Sequence, residues 1–318
     1  MSGDEEAAAS ARGPFAPEPE PPSASEEAAR VLRRGSAGRF LLRAALGLGI
    51  AGASIGGGYL GYRAMVRREA LDVSMVRFEG GIAAIGNDLW PEESPAHEVT
   101  LAPYRLDATE VTVRAYTACV DDGVCTAAIT GGHCNYGVSD RALHPINCVT
   151  FDQAAAYCRW AKKRLPTEKE WEHAARLHYD AKAEKGKTDL FPWGAGAPTK
   201  QRANVCGTEC AAYFKRHGKT LPPMFDDDDG FPLTAPVGSF RDGATPEGLF
   251  DMAGNVWEWT SSPYCAYPDE RCGHDREMVV RGGGFETHQP RTLEATSREA
   301  LGRSEATETT GFRCAKDG

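Results

Sequence analysis

Ten cysteines, all between Cys119 and Cys314, are the residues with the widest choice of chemistry. An even number confined to one segment points to disulfides in an oxidising compartment, with the connectivity left open. Zinc is disfavoured, because no paired Cys-x2-Cys spacing supplies a set of thiolates. Cys206-Gly-Thr-Glu-Cys210 is the tightest pair that redox chemistry could use, and a structural staple accounts for it more simply. His97, His133, His144, His173, His178, His217 and His274 show no His-x3-His or facial-triad spacing and are read as surface or hydrogen-bonded histidines. The acidic run Asp226–Asp229 before Gly230 fails as an EF-hand, since Phe225 occupies the first ligand position and Pro236 the twelfth.

These residues need elements to hold them, and the chain is organised in three parts. Residues 1–37 carry seven acids, five prolines and nine alanines, with only Phe15, Val31 and Leu32 as large apolar side chains. Such a tail buries too little surface to offset its ordering entropy and is expected to be disordered. Residues 38–71 contain an uncharged stretch, 44–62, bracketed by Arg43 and Arg63. As a helix it would be about 28 Å long, which matches a hydrocarbon core of about 30 Å. Arg30, Arg33, Arg34, Arg39 and Arg43 precede it, against Arg63, Arg67 and Arg68 after it. That bias puts the N-terminus in the cytoplasm and residues 72–318 outside, as a single-pass protein of a bacterial inner membrane. A cleavable leader ending at Ala51-Gly-Ala53 is the rival reading, but its n-region would be unusually long and acidic.

The net charge is −9, and residues 1–71 contribute four arginines and seven acids, then five arginines and one glutamate, which leaves −10 on residues 72–318. A body this acidic, without a Lys/Arg stripe, is a poor match to phosphate backbones, so no nucleic acid partner is expected. Within it, Val76–Gly86 suits a strand pair and His97–Leu101 alternates like an edge strand. Thr112 can cap a helix through Val113, Tyr116 and Val120. The stretch from Phe151 to Ala161 reads as a helix capped by Asp152, and Thr167-Glu-Lys-Glu170 as a capping box opening another through Trp171, Ala174 and Ala175. After about residue 181, mostly turn and loop is expected.

Five motifs then occur in one order: Arg164-Leu-Pro-Thr-Glu-Lys-Glu-Trp171, Phe191-Pro-Trp193-Gly194, Gly254-Asn-Val-Trp-Glu-Trp-Thr260, Arg281-Gly-Gly283 and Gly311-Phe-Arg313-Cys314. Read alone they build a scaffold from a turn, a cap, two tryptophan anchors and a close backbone approach. Together they resemble the formylglycine-generating enzymes, or sulfatase-modifying factors, over about residues 76–316. The resemblance implies one α+β domain with little regular secondary structure, distantly like a C-type lectin.

It also implies a chemistry that this chain departs from. The family binds copper through two cysteines after the Arg-Gly-Gly motif, and those positions fall at Thr287 and Thr292. A threonine hydroxyl is not a soft ligand and forms no thiolate near neutral pH, so neither copper nor formylglycine formation is expected. Glu286 and His288 could hold a metal in the manner of the iron-dependent relatives that make ergothioneine, but the extra helical domain those use is missing from this sequence. Calcium is the better expectation. The family's first calcium site maps onto Asn204, the Val205 carbonyl, Asp229 and the Phe231 carbonyl. A second maps onto Asp251, the carbonyls of Gly254 and Val256, and the Glu258 carboxylate. By the same resemblance Cys158 pairs with Cys314, leaving the near pairs Cys119/Cys125, Cys134/Cys148, Cys206/Cys210 and Cys265/Cys272. Two functional classes follow: a membrane-anchored module that binds a protein or peptide ligand, and a metal-dependent oxidoreductase with a different active site.

Overall fold

The computed structural model describes residues 73–176, 191–269 and 275–318, together with Gly61, Ala64, Met65 and Arg67. The expected tail, and the expected span over 44–62 apart from Gly61, lie outside the described residues. No helix among the described residues is long and apolar enough to cross a membrane.

Among its described residues the body contains three small sheets and four short α-helices. Strands β1 (Met75–Phe78), β4 (Tyr104–Asp107) and β9 (Ala315–Asp317) form an antiparallel sheet with β4 in the centre. Strands β2 (Gly81–Ile85) and β3 (His97–Leu101) pair alone. The third sheet runs in the order β7 (Arg298–Gly302), β6 (Glu277–Arg281), β5 (Trp257–Pro263), β8 (Thr310–Gly311), with β8 parallel to β5. The Val76–Gly86 stretch therefore does form two strands, but they join different sheets. Gly80 and Gly81, at φ +72° and +106°, turn the chain between them, and a Cβ at Gly80 would meet the Leu101 carbonyl at 2.3 Å.

Helix α1 (Val113–Asp121) starts at Thr112, whose hydroxyl accepts from the Ala115 N–H as its sequence promised. Helix α2 (Phe151–Trp160) is capped by Thr150 rather than Asp152, because Thr150 is extended and completes a reciprocal box with Gln153. Asp152 already sits in the first turn, facing Arg303. Helix α3 (Glu168–Arg176) opens with the expected box: Thr167 Oγ1 accepts from the Glu170 N–H, and Glu170 accepts in return from the Thr167 N–H. The expectation of mostly loop after 181 misses helix α4 (Thr208–Arg216) and the whole third sheet.

Of four apolar cores among the described residues, the two larger ones hold helices α1 to α3 against the sheets. Helices α1 and α2 pack Tyr116 and Tyr157 against Trp259, Met278 and Val280 of the third sheet and Phe312 just after β8. Helix α3 lays Trp171, Ala174 and Ala175 on Phe78, Tyr104, Leu106 and Ala315 of the first. Trp171 and Trp259 are fully buried, and each contributes roughly 4–6 kcal/mol of hydrophobic stabilisation as an upper figure. Disulfides Cys119–Cys125, Cys134–Cys148, Cys158–Cys314 and Cys206–Cys210 are all formed. Cys265 is also disulfide-bonded, and Cys272, its expected partner, lies outside the described residues.

The Cys158–Cys314 bridge spans 156 residues, and closing a loop of that order removes about 5 kcal/mol of unfolded-chain entropy in the simplest model. Replacing both cysteines by serine should therefore lower the free energy of unfolding of the oxidised protein by roughly 3–5 kcal/mol in denaturant titrations. The same replacement at Cys119 and Cys125 should cost distinctly less.

Candidate functional site

The Arg-Gly-Gly motif ends β6. Arg281 is fully buried, donating to Glu172 and to the Ser297 carbonyl, with Glu168 at 3.7 Å. Gly282 and Gly283 follow at φ +97° and +77°. A Cβ on Gly283 would stand 2.8 Å from the Leu293 side chain, 3.1 Å from Thr287 Oγ1 and 3.6 Å from the Thr292 carbonyl. The Thr287 hydroxyl and the Thr292 backbone carbonyl thus lie beside one glycine.

Their chemistry does not suit copper. Thr287 is nearly buried, and its hydroxyl accepts from the Gly284 N–H at 3.0 Å. The Thr292 N–H is tied to the Gln289 carbonyl at 3.1 Å in a 3-10 turn. No free cysteine stands anywhere among the described residues to replace them. A soft-metal centre does not fit here.

Two nearby pockets of oxygen atoms do suit a hard cation. In the first, Asn204 is buried and its amide donates to the Leu233 carbonyl and to Asn255 Oδ1, which leaves Asn204 Oδ1 without a donor. Asp229 accepts from the Phe231 N–H at 2.9 Å and the Val205 N–H at 3.4 Å. Burial, aided by the neighbouring Glu209, raises the Asp229 carboxyl to about 7. Burial likewise raises Glu209, and although the amides of Glu209 and Cys210 lie close, neither of its oxygens has a well-formed hydrogen bond. Glu209 was not singled out in the sequence.

In the second pocket Asp251 accepts from the Gly238 N–H at 2.6 Å and faces Glu110. Both are buried and both are raised, first by burial and, for Glu110, next by the Asp251 charge. Glu110 Oε1 accepts from Asn255 Nδ2 at 2.9 Å, while Oε2 has no donor. Glu258 borders this pocket with both oxygens engaged: Arg313 holds them at 2.7–2.9 Å and Trp171 Nε1 donates to Oε2 at 2.8 Å. Asp251 adopts φ +56° and Asn255 φ +62°, strain of the kind that functional sites retain. Gly254, at φ +86°, must be glycine because a Cβ would lie 2.4 Å from the Asn204 carbonyl.

Glu286 and His288 do not converge on one another as ligands. His288 Nδ1 faces the Glu286 carbonyl at 3.3 Å, and the Glu286 carboxylate pairs with Lys219 instead. That carboxylate also meets His133 and Glu308, the ligand atoms of the three lying within 4.8 Å of one another. Nothing in the sequence spacing signalled this group.

With this geometry in place, the profile of the sulfatase-modifying factor enzyme 1-like domain matches residues 63–318. The chain belongs to that family. A formylglycine-generating enzyme from Streptomyces coelicolor is 30% identical over 296 residues, covering 76% of this chain and 88% of that protein. A bovine protein described as an inactive Cα-formylglycine-generating enzyme 2 is 34% identical over 180 residues, 56% of this chain and 52% of its own length. The family fold is also seen in PvdO from Pseudomonas aeruginosa, at TM-score 0.57 and 22% identity over 77% of this chain and 95% of that one. The α+β domain with little regular structure is thus the family's own.

The raised Asp229 predicts a pH dependence. A carboxyl whose pKa is higher folded than unfolded binds more protons in the native state, so stability falls as pH rises between the two values. Without divalent cations, the melting temperature should decline from about pH 4 to about pH 7. Asp229→Asn should flatten part of that decline, as thermal scans across the range would reveal.

Proposed function

We propose that residues 72–318 form an extracytoplasmic, calcium-stabilised binding domain that has the formylglycine-generating fold without its oxidase chemistry. The observation that carries this reading is the pair Thr287 and Thr292 beside Gly283, where the family resemblance expects cysteines. The existence of a bovine relative described as inactive supports it. Five disulfide pairs expected from ten cysteines, four of them formed among the described residues, suit the oxidising side of a membrane. On this reading residues 44–62 anchor the domain to a bacterial inner membrane, with the N-terminus cytoplasmic, and its partner is a protein or peptide.

Calcium is proposed from the donor chemistry. Asn204 Oδ1, Asp229 and the Val205 and Phe231 carbonyls would serve one ion, and Glu209 adds a carboxylate beside them. Asp251, with the carbonyls of Gly254 and Val256, would serve a second, with Glu258 at its border and the unpaired Glu110 Oε2 available. Bound there, calcium neutralises carboxylates that burial otherwise forces to share protons. The rival reading, an oxidoreductase built on Glu286 and His288, has less support because their side chains do not face one metal position.

Two experiments test the proposal. A hundredfold excess of calcium over its Kd stabilises by about 2.7 kcal/mol, which for a domain of this size is a rise of roughly 5–10 °C in Tm. Chelation should reverse that rise; Asp229→Asn or Asp251→Asn should shrink it, and the exposed Asp226→Ala should not. An unchanged Tm on chelation would remove the calcium assignment. Separately, the purified chain with added copper should produce no formylglycine from a Cys-x-Pro-x-Arg peptide. Turnover above a no-enzyme control would show that another group replaces the missing thiolates.

A further inference from the structure

We propose that His133, Glu286 and Glu308 form a three-ligand site for a divalent first-row transition ion, zinc being the best match, separate from both calcium positions. One nitrogen and two carboxylate oxygens, one from each residue, already lie within 4.8 Å of one another. Ligand atoms about 2.0–2.2 Å from a tetrahedral ion are roughly 3.4 Å apart, so side-chain adjustments of about an ångström complete the site. His133 Nδ1 and Glu308 Oε2 stand at 2.7 Å, and that edge would open slightly while the edges to Glu286 close.

The donor set decides the class of ion. One imidazole with two carboxylates suits zinc, manganese or ferrous iron. It lacks the sulfur that cuprous copper favours and the six to eight oxygens that calcium takes. Three protein ligands leave a position for water, as in zinc sites that act as Lewis acids.

Two of the ligands are held before any ion arrives. The backbone N–H of His133 donates to Glu308 Oε1 at 3.0 Å. Asn147 Nδ2 donates both to the His133 carbonyl at 3.0 Å and to the Glu308 carbonyl at 2.5 Å. The Cys134–Cys148 bridge follows His133 directly, and the Cys148 N–H bonds the Thr307 carbonyl at 3.0 Å. Tyr213 and Phe214 meet the imidazole edge to face, at 5.6 and 5.3 Å between centroids. At Gly132 a Cβ would stand 2.1 Å from Glu308 Oε1, so any side chain there would displace the carboxylate. Such fixing of ligands by outer partners is typical of built metal sites.

The third ligand comes from the loop beside Thr287. Glu286 is paired with Lys219, whose side chain is half exposed and whose ammonium lies 4.9 Å over the Phe214 ring. Two carboxylates facing one imidazole call for a positive charge, and the lysine supplies one that can swing into solvent when an ion binds. Next to a position where the family resemblance expects a thiolate, this chain offers a carboxylate.

The test is zinc binding by the full chain, measured by equilibrium dialysis and calorimetry with calcium in excess, and absorption spectra with cobalt(II) as a stand-in. The expected result is one zinc per chain and a cobalt spectrum typical of low coordination number. His133→Gln, which retains a hydrogen bond to Glu308, should weaken zinc by at least the roughly 10–100-fold that losing an outer partner costs. Glu308→Gln and Glu286→Gln should also weaken it, whereas His288→Ala should leave it unchanged. Melting curves in calcium without zinc should confirm that each variant is folded. If no zinc binds, or if His133→Gln binds it as well as the unaltered chain, the proposal is overturned. Either outcome leaves the calcium reading untouched, because that reading is measured by chelation in the absence of zinc.

Discussion

The buried pair of Arg313 and Glu258 is the interaction on which the body depends. Arg313 has no exposed surface, yet its guanidinium reaches Glu258, the Asp107 carbonyl and the Phe250 carbonyl. Glu258 in turn receives Trp171 Nε1. Four separate stretches, β4, α3, the 249–251 segment and β5, are thereby joined to the segment that leads into β9. Breaking such a pair from one side leaves a bare buried charge, at a cost of about 3–5 kcal/mol. The same guanidinium is also the positive charge nearest Glu110 and Asp251 and draws both their pKa values down against burial. One arginine among three carboxylates leaves that pocket short of positive charge, which is the ground for proposing a cation there.

A chain of amides joins the two oxygen-rich pockets. Asn204 Nδ2 donates to Asn255 Oδ1, the Asn255 N–H donates to the Asn204 carbonyl, and Asn255 Nδ2 reaches Glu110. The Ala235 N–H adds a further donor to Asn255 Oδ1. Asn255 has a left-handed backbone, a conformation that asparagine tolerates and that these bonds help to fix. An ion in either pocket would orient amides that the other pocket shares, so the two positions are mechanically connected through a few ångströms of side chain.

What could be read from the sequence was local. Thr112 and Thr167 sit at helix starts and bond the backbone N–H three residues on, as their sequence suggested, whereas the cap expected at Asp152 falls on Thr150, which only the backbone angles reveal. Trp257 and Trp259 announced themselves as anchors by size, but only Trp259 is fully buried; Trp257 is partly exposed, and Trp171 is the other fully buried tryptophan. Strand partners were harder, since β1 pairs with β4, which in turn pairs with β9, rather than with its neighbour β2, and register between distant strands leaves no trace in either. Helix α4 follows Gly207 without a side-chain cap and escaped notice for that reason. His133 and Glu308 are separated by 175 residues, and a polar group assembled across such a distance has no period to detect. Glu110 and Glu209 were missed likewise, because what marks them is an oxygen left without a donor, a property of the folded state alone.

The placement of residues 310–317 also has a consequence for how the protein is made. This stretch supplies β8, Phe312 in the larger core, Arg313, Cys314 and β9, so neither sheet that it joins is finished without it. A polypeptide emerging from a ribosome or a translocation channel can form α1, α2 and α3, but it cannot close either core until these residues arrive. Prematurely ended chains would expose the apolar faces of Tyr157 and Trp171, along with a lone thiol at Cys158. Such a chain is recognisable to quality-control proteases by both features, so the domain's topology makes completeness of synthesis a precondition for survival.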